Sequence, residues 1–296
     1  MTRAVERVRA NEVLRPYVPR LVINWLRDDA AALHRELEGS LAFVDLSGFT
    51  ALSERLARRG KVGAEVMRDT LNGVFIALLD TAYDDGAGLL KWGGDALLLL
   101  FDGPGHEQRA CHAAWEMQRT LDRVGRLRTG SASVTLRMSI GLTTGTFQFF
   151  LTGSVHRELL IAGPAATETV EMEAIADAGE IAVSPTLARH LDPACVGAPK
   201  GAALLLAAAP DVGATRAPDV GDVSTVDLPA CIPIATRAHV MLERSEPEHR
   251  TITAAFIDLM DTDALLERLG IDGLARALDE RIRTIQEVAL HYEVPF

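Results

Sequence analysis

The spacing of apolar and polar positions divides the chain into four stretches. Residues 1–38 carry apolar side chains at helical intervals and predict an N-terminal helical segment. Residues 39–195 alternate short apolar runs with helical patterns. Residues 196–249 contain six prolines and predict a linker with some strand content. Residues 250–296 begin another strand–helix pattern, so the chain is expected to hold more than one structural unit.

Within the second stretch, the pattern predicts the fold class. The run SLAFVDL at Ser40–Leu46 is a short buried strand, and two further apolar runs, Leu89–Lys91 and Ala96–Phe101, flank a Gly-Gly pair as the arms of a hairpin would. A helix is expected at about 106–124, and a strand at Val134–Leu142. This order predicts an α/β (α+β) sandwich with a mostly antiparallel sheet and helices on one face.

The fourth stretch repeats the beginning of the second. Ala42–Leu56 reads AFVDLSGFTALSERL and Ala255–Leu269 reads AFIDLMDTDALLERL, so 9 of the 15 positions are identical. The repeat predicts that the chain starts the same domain twice, with Asp258 in the place of Asp45. The second copy is expected to be incomplete, because the sequence ends at Phe296 before its hairpin.

Composition narrows the classes of partner. The formal charge is −11, from 30 basic and 41 acidic residues, which argues against nucleic acid or an anionic membrane as the main partner. No apolar run approaches the roughly 20 residues of a membrane span, and the charged N-terminus lacks a signal peptide's apolar region. We therefore expect a cytoplasmic protein. The three cysteines, Cys111, Cys195 and Cys231, form no C-x-x-C pair, so neither a disulfide framework nor a zinc site is expected.

The first candidate for chemistry is Asp45, at the end of an apolar strand. A carboxylate among Val44 and Leu46 must be paired or bound to a metal ion. The next residues, Ser47, Gly48, Phe49 and Thr50, open a predicted helix, whose free N–H groups and positive dipole end suit phosphate oxygens. The alternative is that Asp45 is only a helix cap.

The second candidate is Asp95, which follows the Gly93-Gly94 turn at the start of a strand. Two strand-end carboxylates that converge can hold two Mg²⁺ ions, which prefer oxygen ligands and substrate phosphates. Such a pair activates an attacking oxygen and stabilises charge on phosphorus. The alternative is a plain hairpin turn, with Lys91 an ordinary surface lysine.

These two motifs, FVDLSGFT and LKWGGDALLLLF, resemble class III adenylate/guanylate cyclases, with their aspartates 50 residues apart. The resemblance runs from about Gly39 to Leu191 and again from about Thr251, like the tandem, soluble, bicarbonate-responsive type. It implies a ferredoxin-like cyclase catalytic domain that makes 3′,5′-cyclic AMP and pyrophosphate from ATP. A diguanylate cyclase would want an acidic and an aromatic residue after Gly-Gly-Asp, and Ala96-Leu97 does not fit. A nucleotide polymerase palm domain is another alternative, but the formal charge of −11 argues against it.

The resemblance also implies roles for single residues. Asp45 and Asp95 would bind two Mg²⁺ or Mn²⁺ ions, with the Leu46 carbonyl as a third ligand. The segment Ser47–Thr50 would hold the triphosphate through backbone N–H groups. Lys91 matches a position that contacts the purine, and Arg157 is a candidate phosphate contact.

One segment departs from the family pattern. The family segment resembles G-D-T-V-N-x-A-A-R, whereas this chain reads GPAATETVE from Gly163 to Glu171, with Thr167 in place of Asn and Glu171 in place of Arg. A glutamate repels phosphate. A second cyclase domain, in cis or in trans, is therefore expected to complete the site, and the chain alone is expected to be inactive. The alternative is a catalytically inactive nucleotide-binding or regulatory module.

Overall fold

The computed structural model describes residues 3–48, 56, 60–129, 132–213, 215–216, 219–241, 257–259 and 261–294. The chain divides into two compact units. The sheet unit consists of Leu37–Phe147 and Ala165–Asp219, and the helical unit of Met1–Glu36, Gln148–Pro164 and Val220–Phe296. Both units are assembled from stretches that are distant in sequence.

The main sheet has eight strands, and most of its pairings are antiparallel. Along it the order is β2-β3-β1-β6-β8-β10-β9, and β7 pairs with the far end of β6. The strands are β1 His34–Ser47, β2 Gly88–Gly93, β3 Ala96–Asp102, β6 Arg137–Thr152, β7 Glu158–Ala162, β8 Ile181–Val183, β9 Val196–Lys200 and β10 Ala203–Leu206. A separate hairpin joins β4 Arg126–Thr129 to β5 Ala132–Thr135. The pairing of β6 with β8 is parallel, so the sheet is mixed. Most of its other pairings are antiparallel, which confirms the expected mostly antiparallel α/β architecture.

One face of the sheet packs against two long helices, α3 Gly60–Asp84 and α4 His106–Val124. The second of these has the bounds that its sequence period predicts, because its apolar positions, among them Ala110, Ala114 and Met117, fall on one buried stripe. The strands contribute every second residue to this core, including Val44 on β1 and Leu97 on β3. We call this side of the sheet the core face.

The opposite face is also covered, so the expectation of helices on one face only is wrong. Helix α5, Pro164–Ile175, packs there through Met172 against Ala182 of β8 and Ala203 of β10. Gly141 of β6 lies directly beneath this helix. A short helix, α6 Pro185–Ala188, returns to the core face through Leu187. We call the side under α5 the second face.

The expected boundaries of the sheet unit also differ from the observed ones. β1 begins at His34, within the segment expected to be helical. Residues 196–206 were expected to belong to a linker, but they form β9 and β10, and β10 pairs with β8. β10 contributes to both faces of the sheet: Leu206 is buried and Leu204 partly buried in the main core, while Ala203 and Leu205 pack under α5.

The helical unit contains helices α1 Arg3–Leu14, α2 Arg20–Asp29, α7 Ile234–Met241 and α8 Thr262–His291. Side-chain amides tie its distant stretches together. The buried Asn11 donates to the carbonyls of Val223 and Val226, each at 2.7 Å. The buried Gln286 of α8 accepts from the backbone N–H groups of Ser154 and Val155 and donates to the carbonyl of His156.

The strand that would open the predicted second copy of the domain falls partly outside the described residues. Residues 242–256 are not described, and 257–259, which include Asp258, have no regular secondary structure. Helix α8 follows and is kinked at Gly270, where φ is 66°. The tandem arrangement therefore stays a prediction from the sequence repeat. Across the ranges that the structure describes, no helix has the length and apolar character that crossing a bilayer requires.

Candidate functional site

The pairing of β1 with β3 brings the two predicted aspartates together. In this antiparallel register Asp45 lies opposite Ala96, the residue that follows Asp95. The backbone N–H of Leu46 donates to the carbonyl of Asp95 at 3.1 Å. The Gly93-Gly94 turn, with φ of 70° at Gly94, returns the chain so that Asp95 stands at the end of β1. Two carboxylates 50 positions apart in sequence thus become neighbours across two strands.

Strand alternation places Asp45 on the second face of the sheet. Its neighbours Val44 and Leu46 are buried on the core face, so the carboxylate between them points to the opposite side. Burial raises the pKa of Asp45, and the nearby negative charges of Asp95 and Glu173 raise it further. The carboxylate is therefore destabilised in its charged form unless a cation accompanies it.

This donor set fits a divalent cation. Asp45 and Asp95 supply carboxylate oxygens and Leu46 supplies a backbone carbonyl, the hard oxygen ligands that Mg²⁺ and Mn²⁺ accept. A nearby cation would remove the like-charge repulsion that raises the pKa of Asp45. Among the residues that the structure describes, no group of three or more His, Cys, Asp or Glu side chains is placed to hold a metal ion.

Lys91 shares the second face with Asp45. It pairs with Leu98 of β3, which in turn pairs with Phe43 of β1, two residues before Asp45. Directly paired residues of an antiparallel sheet project to the same side, so Lys91, Leu98 and Phe43 project to the same face as Asp45. Lys91 therefore lies near Asp45, displaced by two residues along the strands. Its side chain is half-buried. This position is compatible with the predicted contact to a purine.

An aromatic pair supports the hairpin that carries Asp95. The indole N–H of Trp92 donates to the carbonyl of Gly94 at 3.0 Å, and its ring packs against Phe75 of α3 with 4.5 Å between ring centroids. These contacts anchor an otherwise exposed turn to a long helix. They hold the β2–β3 hairpin, and with it Asp95, at the end of β1.

Ser47 and Gly48 follow Asp45 at the end of β1. The Ser47 hydroxyl donates to the carbonyl of Arg137 at 3.4 Å. Gly48 has φ of 92°, and a Cβ there would lie 3.0 Å from the carbonyl oxygen of Thr135, so both its conformation and its close packing require glycine. Phe49 and Thr50 lie outside the described residues, so the predicted triphosphate loop is described only at its first two positions.

Comparison with known proteins decides the family. The adenylate and guanylate cyclase catalytic domain matches residues 34–202, which is more than half of the 296 residues. The chain belongs to this family. Its cyclase domain therefore begins with β1 and extends through β9, which lies in the stretch expected to be a linker.

Curated relatives are named adenylate cyclases, and solved structures share the fold of this domain. The chain is 28% identical over 153 residues to human adenylate cyclase type 10 and 26% identical over 152 residues to the mouse protein, in each case 50% of this chain and 9% of the relative. The chain thus spans less than a tenth of the length of these relatives. Its fold resembles the adenylyl cyclase CyaB from P. aeruginosa, with a TM-score of 0.50 and 20% identity over 62% of this chain and 100% of that one. A bacterial light-regulated adenylyl cyclase gives a TM-score of 0.51 and 18% identity over 62% and 54%.

Helix α5 of the cyclase domain carries the two departures from the family segment. Thr169 and Met172 are buried toward the sheet, whereas Thr167 and Glu171 are exposed on the other side of the helix. The two departing side chains therefore face away from the Asp45 site of their own chain.

Arg157 does not lie in the unit that holds the aspartates. It belongs to the helical unit, where its guanidinium donates to the carbonyls of Ala30 at 3.2 Å and Leu151 at 3.3 Å. Its backbone N–H donates to the carbonyl of Ala230. These bonds give Arg157 a structural role, and its contact with phosphate stays a prediction.

Sequence reasoning missed Ser139 and Glu173 of the cyclase domain. The hydroxyl of Ser139, on β6, donates to the Glu173 carboxylate of α5 at 2.7 Å. The signal was the pair of small residues, Ser139 and Gly141, at alternate positions of an apolar strand. Such a pair indicates that another element approaches that face closely.

Proposed function

We propose that this chain provides the metal-binding half of a nucleotide cyclase that converts ATP to 3′,5′-cyclic AMP and pyrophosphate. The observation that supports the proposal is the meeting of Asp45 and Asp95 at the end of β1, beside Ser47 and Gly48, in a chain of the cyclase family. Mg²⁺ or Mn²⁺ would be the cofactor. The choice of ATP follows Lys91 and the likeness to adenylate cyclase type 10.

In the proposed reaction the ribose 3′-oxygen attacks the α-phosphorus. The new O3′–P bond forms as the bond between the α-phosphorus and the bridging oxygen of the β-phosphate breaks, and the 3′-hydroxyl proton leaves to solvent. Asp45, Asp95 and the Leu46 carbonyl would hold two divalent ions, which when bound activate the attacking oxygen and stabilise negative charge on phosphorus. The backbone of Ser47–Thr50 would orient the triphosphate.

The proposed partner is a second cyclase domain. Helix α5 presents Thr167 and Glu171 on its exposed side, where the family segment carries Asn and Arg. An acidic side chain cannot stabilise the charge that develops on phosphate. The Asn and Arg would therefore come from another domain, in cis or in trans, and the chain alone would turn over little or no ATP.

A second function is favoured by Glu171 itself. A chain that keeps the metal-binding aspartates and carries a glutamate in the place of a catalytic arginine fits a nucleotide-binding regulatory module without turnover. In that case the Asp45 site would still bind the metal–nucleotide complex. The two functions differ in whether turnover appears once an Asn and an Arg are supplied.

Binding of a fluorescent ATP analogue tests the site that both functions share. We expect Mn²⁺-dependent binding to the wild-type chain, and we expect Asp95→Ala to weaken it by tenfold or more, since loss of residues that merely support a metal ligand already costs about 10–100-fold. The apparent Kd is measured by fluorescence titration with and without Mn²⁺.

The exposed Asp122 of α4 provides the matched control, because Asp122→Ala removes the same group from the same unit away from the site. Its apparent Kd should equal that of the wild type. Equal binding by Asp95→Ala and the wild type would refute the two-carboxylate site, and with it the proposed function.

A further inference from the structure

We infer that Glu173 of α5 is a positioning residue for the Asp45–Asp95 site. Its negative charge lies beside the site and strengthens the binding of a divalent cation there. The inference rests on the proposed metal site and extends it to a residue of the same chain. It concerns the helix whose opposite side carries Thr167 and Glu171.

Two contacts fix how β6 lies beside β1. Ser47 donates to the carbonyl of Arg137, and the hydroxyl of Thr144 donates to the carbonyl of Gly39 at 3.1 Å. The strands are neighbours in the sheet, and these contacts show that they run in opposite directions. Asp45 precedes Ser47 by two residues and Ser139 follows Arg137 by two, so Asp45 and Ser139 lie side by side.

Both side chains project from the second face. On β6 the residues Met138 and Ile140 are buried in the main core, so Ser139 between them points to the same side as Asp45. The Ser139 hydroxyl donates to a Glu173 carboxylate oxygen at 2.7 Å. The Ser139 hydroxyl, which lies beside Asp45, therefore links β6 to the Glu173 carboxylate of α5.

Helix α5 is held close enough for its charge to act there. A Cβ on Gly141 would lie 2.6 Å from the Glu173 Cα and 2.7 Å from the Thr169 carbonyl oxygen, so the helix backbone rests directly on β6. The Glu173 carboxylate is held at Ser139, which lies beside Asp45 on the same face, so its negative charge lies close to Asp45. Glu173 is not a third ligand, since the described residues contain no group of three such side chains that could hold a metal ion.

A cation at Asp45 and Asp95 reverses the effect of Glu173. Without a cation, its charge adds to the repulsion around Asp45. With a divalent ion bound, the same charge attracts the ion, and the half-buried setting between sheet and helix screens it less than bulk water would. The hydrogen bond from Ser139 holds the Glu173 carboxylate on β6, beside Asp45.

Mn²⁺ binding in the absence of nucleotide tests the inference, by titration calorimetry or by electron paramagnetic resonance of free Mn²⁺. We expect Glu173→Gln, which keeps the shape and the hydrogen-bond acceptor, to weaken Mn²⁺ binding about fivefold, and we expect the weakening to shrink as salt increases. Ser139→Ala should weaken it less, because it releases the carboxylate without removing its charge. Asp122→Asn removes one negative charge from the exposed side of α4, away from the site, and should leave the affinity unchanged.

The outcomes separate this inference from the proposed function. Equal Mn²⁺ affinity for Glu173→Gln and Asp122→Asn, in a chain whose Mn²⁺ binding depends on Asp95, would show that Glu173 only packs against β6. Mn²⁺ binding that does not depend on Asp95 would overturn both. Thermal unfolding of each variant is measured alongside the titrations to check that the variants fold. A Ser139→Ala variant that binds Mn²⁺ more weakly than Glu173→Gln would also contradict the inference.

Discussion

Replacing Thr167 with Asn and Glu171 with Arg should raise cyclic AMP production well above that of the wild type, which we expect to make little or none. Both positions are exposed on α5, so the substitutions need no repacking of the sheet unit. Two copies of the variant could then complete each other's sites, with the aspartates of one copy facing the new Asn and Arg of the other. Cyclic AMP formed from Mn²⁺–ATP is the measurement. We expect a gain of about a hundredfold or more, since an arginine supplied to a phosphoryl-transfer site is worth about 10³–10⁵ in rate in GTPases.

A mixing experiment shows whether the gain comes from a shared site. Asp45→Ala added to the double variant should remove its turnover, because that chain then offers Asn and Arg without metal ligands. Mixing this triple variant with the wild-type chain should restore turnover, since each chain supplies the half that the other lacks. The pair Thr167→Asn and Val170→Arg is the matched control, because it places an arginine on the same exposed side one residue away.

The result also decides between the two functions. If the double variant makes no cyclic AMP while it still binds the ATP analogue with Mn²⁺, the chain is a nucleotide-binding module and the enzyme proposal fails. If the wild-type chain alone already turns over ATP, and Asp45→Ala abolishes it, the role assigned to Glu171 is wrong.

The sequence predicted those parts of the site that depend on short stretches of chain. The run before Asp45 is apolar and ends at Ser47-Gly48, and the Gly93-Gly94 pair sets the hairpin that places Asp95. Each signal lies within a few residues of the feature that it predicts, and the pairing of β2 with β3 follows from the turn. The pairing of β1 with β3, which brings Asp95 to the end of β1, joins residues 50 positions apart, and only the resemblance to the cyclase motifs implied it.

Features that depend on distant contacts were not predictable in the same way. β9 and β10 lie in the proline-rich stretch that was expected to be a linker with some strand content. They belong to the main sheet only because β10 pairs with β8 and β9 pairs with β10, which is not visible in the local pattern. The helical unit joins the N-terminal helices to residues 220–294 through contacts such as that of Asn11 with Val223, and no local pattern reports such a pairing. The placement of α5 on the second face likewise depends on the missing side chain of Gly141.

Gly141→Ala should be the most damaging single methyl addition in the sheet unit. The new Cβ would fall 2.6 Å from the Glu173 Cα and 2.7 Å from the Thr169 carbonyl oxygen, and neither atom is the flexible end of a side chain. Helix α5 would have to move off β6, so we expect the free energy of unfolding to fall by about 3 kcal/mol, at the upper end of ordinary overpacking. Urea unfolding followed by circular dichroism measures the loss.

Gly145→Ala provides a control on the same strand, because its Cβ would meet only the Ala165 side chain, at an ordinary 3.6 Å. That variant should lie within about 0.5–1 kcal/mol of the wild type, since a compatible alanine reduces the entropy of the unfolded chain. Equal stability of the two variants would mean that α5 does not rest on β6 as described.

If α5 does shift in Gly141→Ala, Glu173 moves away from Asp45. The Gly141→Ala protein that remains folded should then bind Mn²⁺ as weakly as Glu173→Gln. One missing methyl group in β6 would then set both the stability of the sheet unit and the charge beside its proposed metal site.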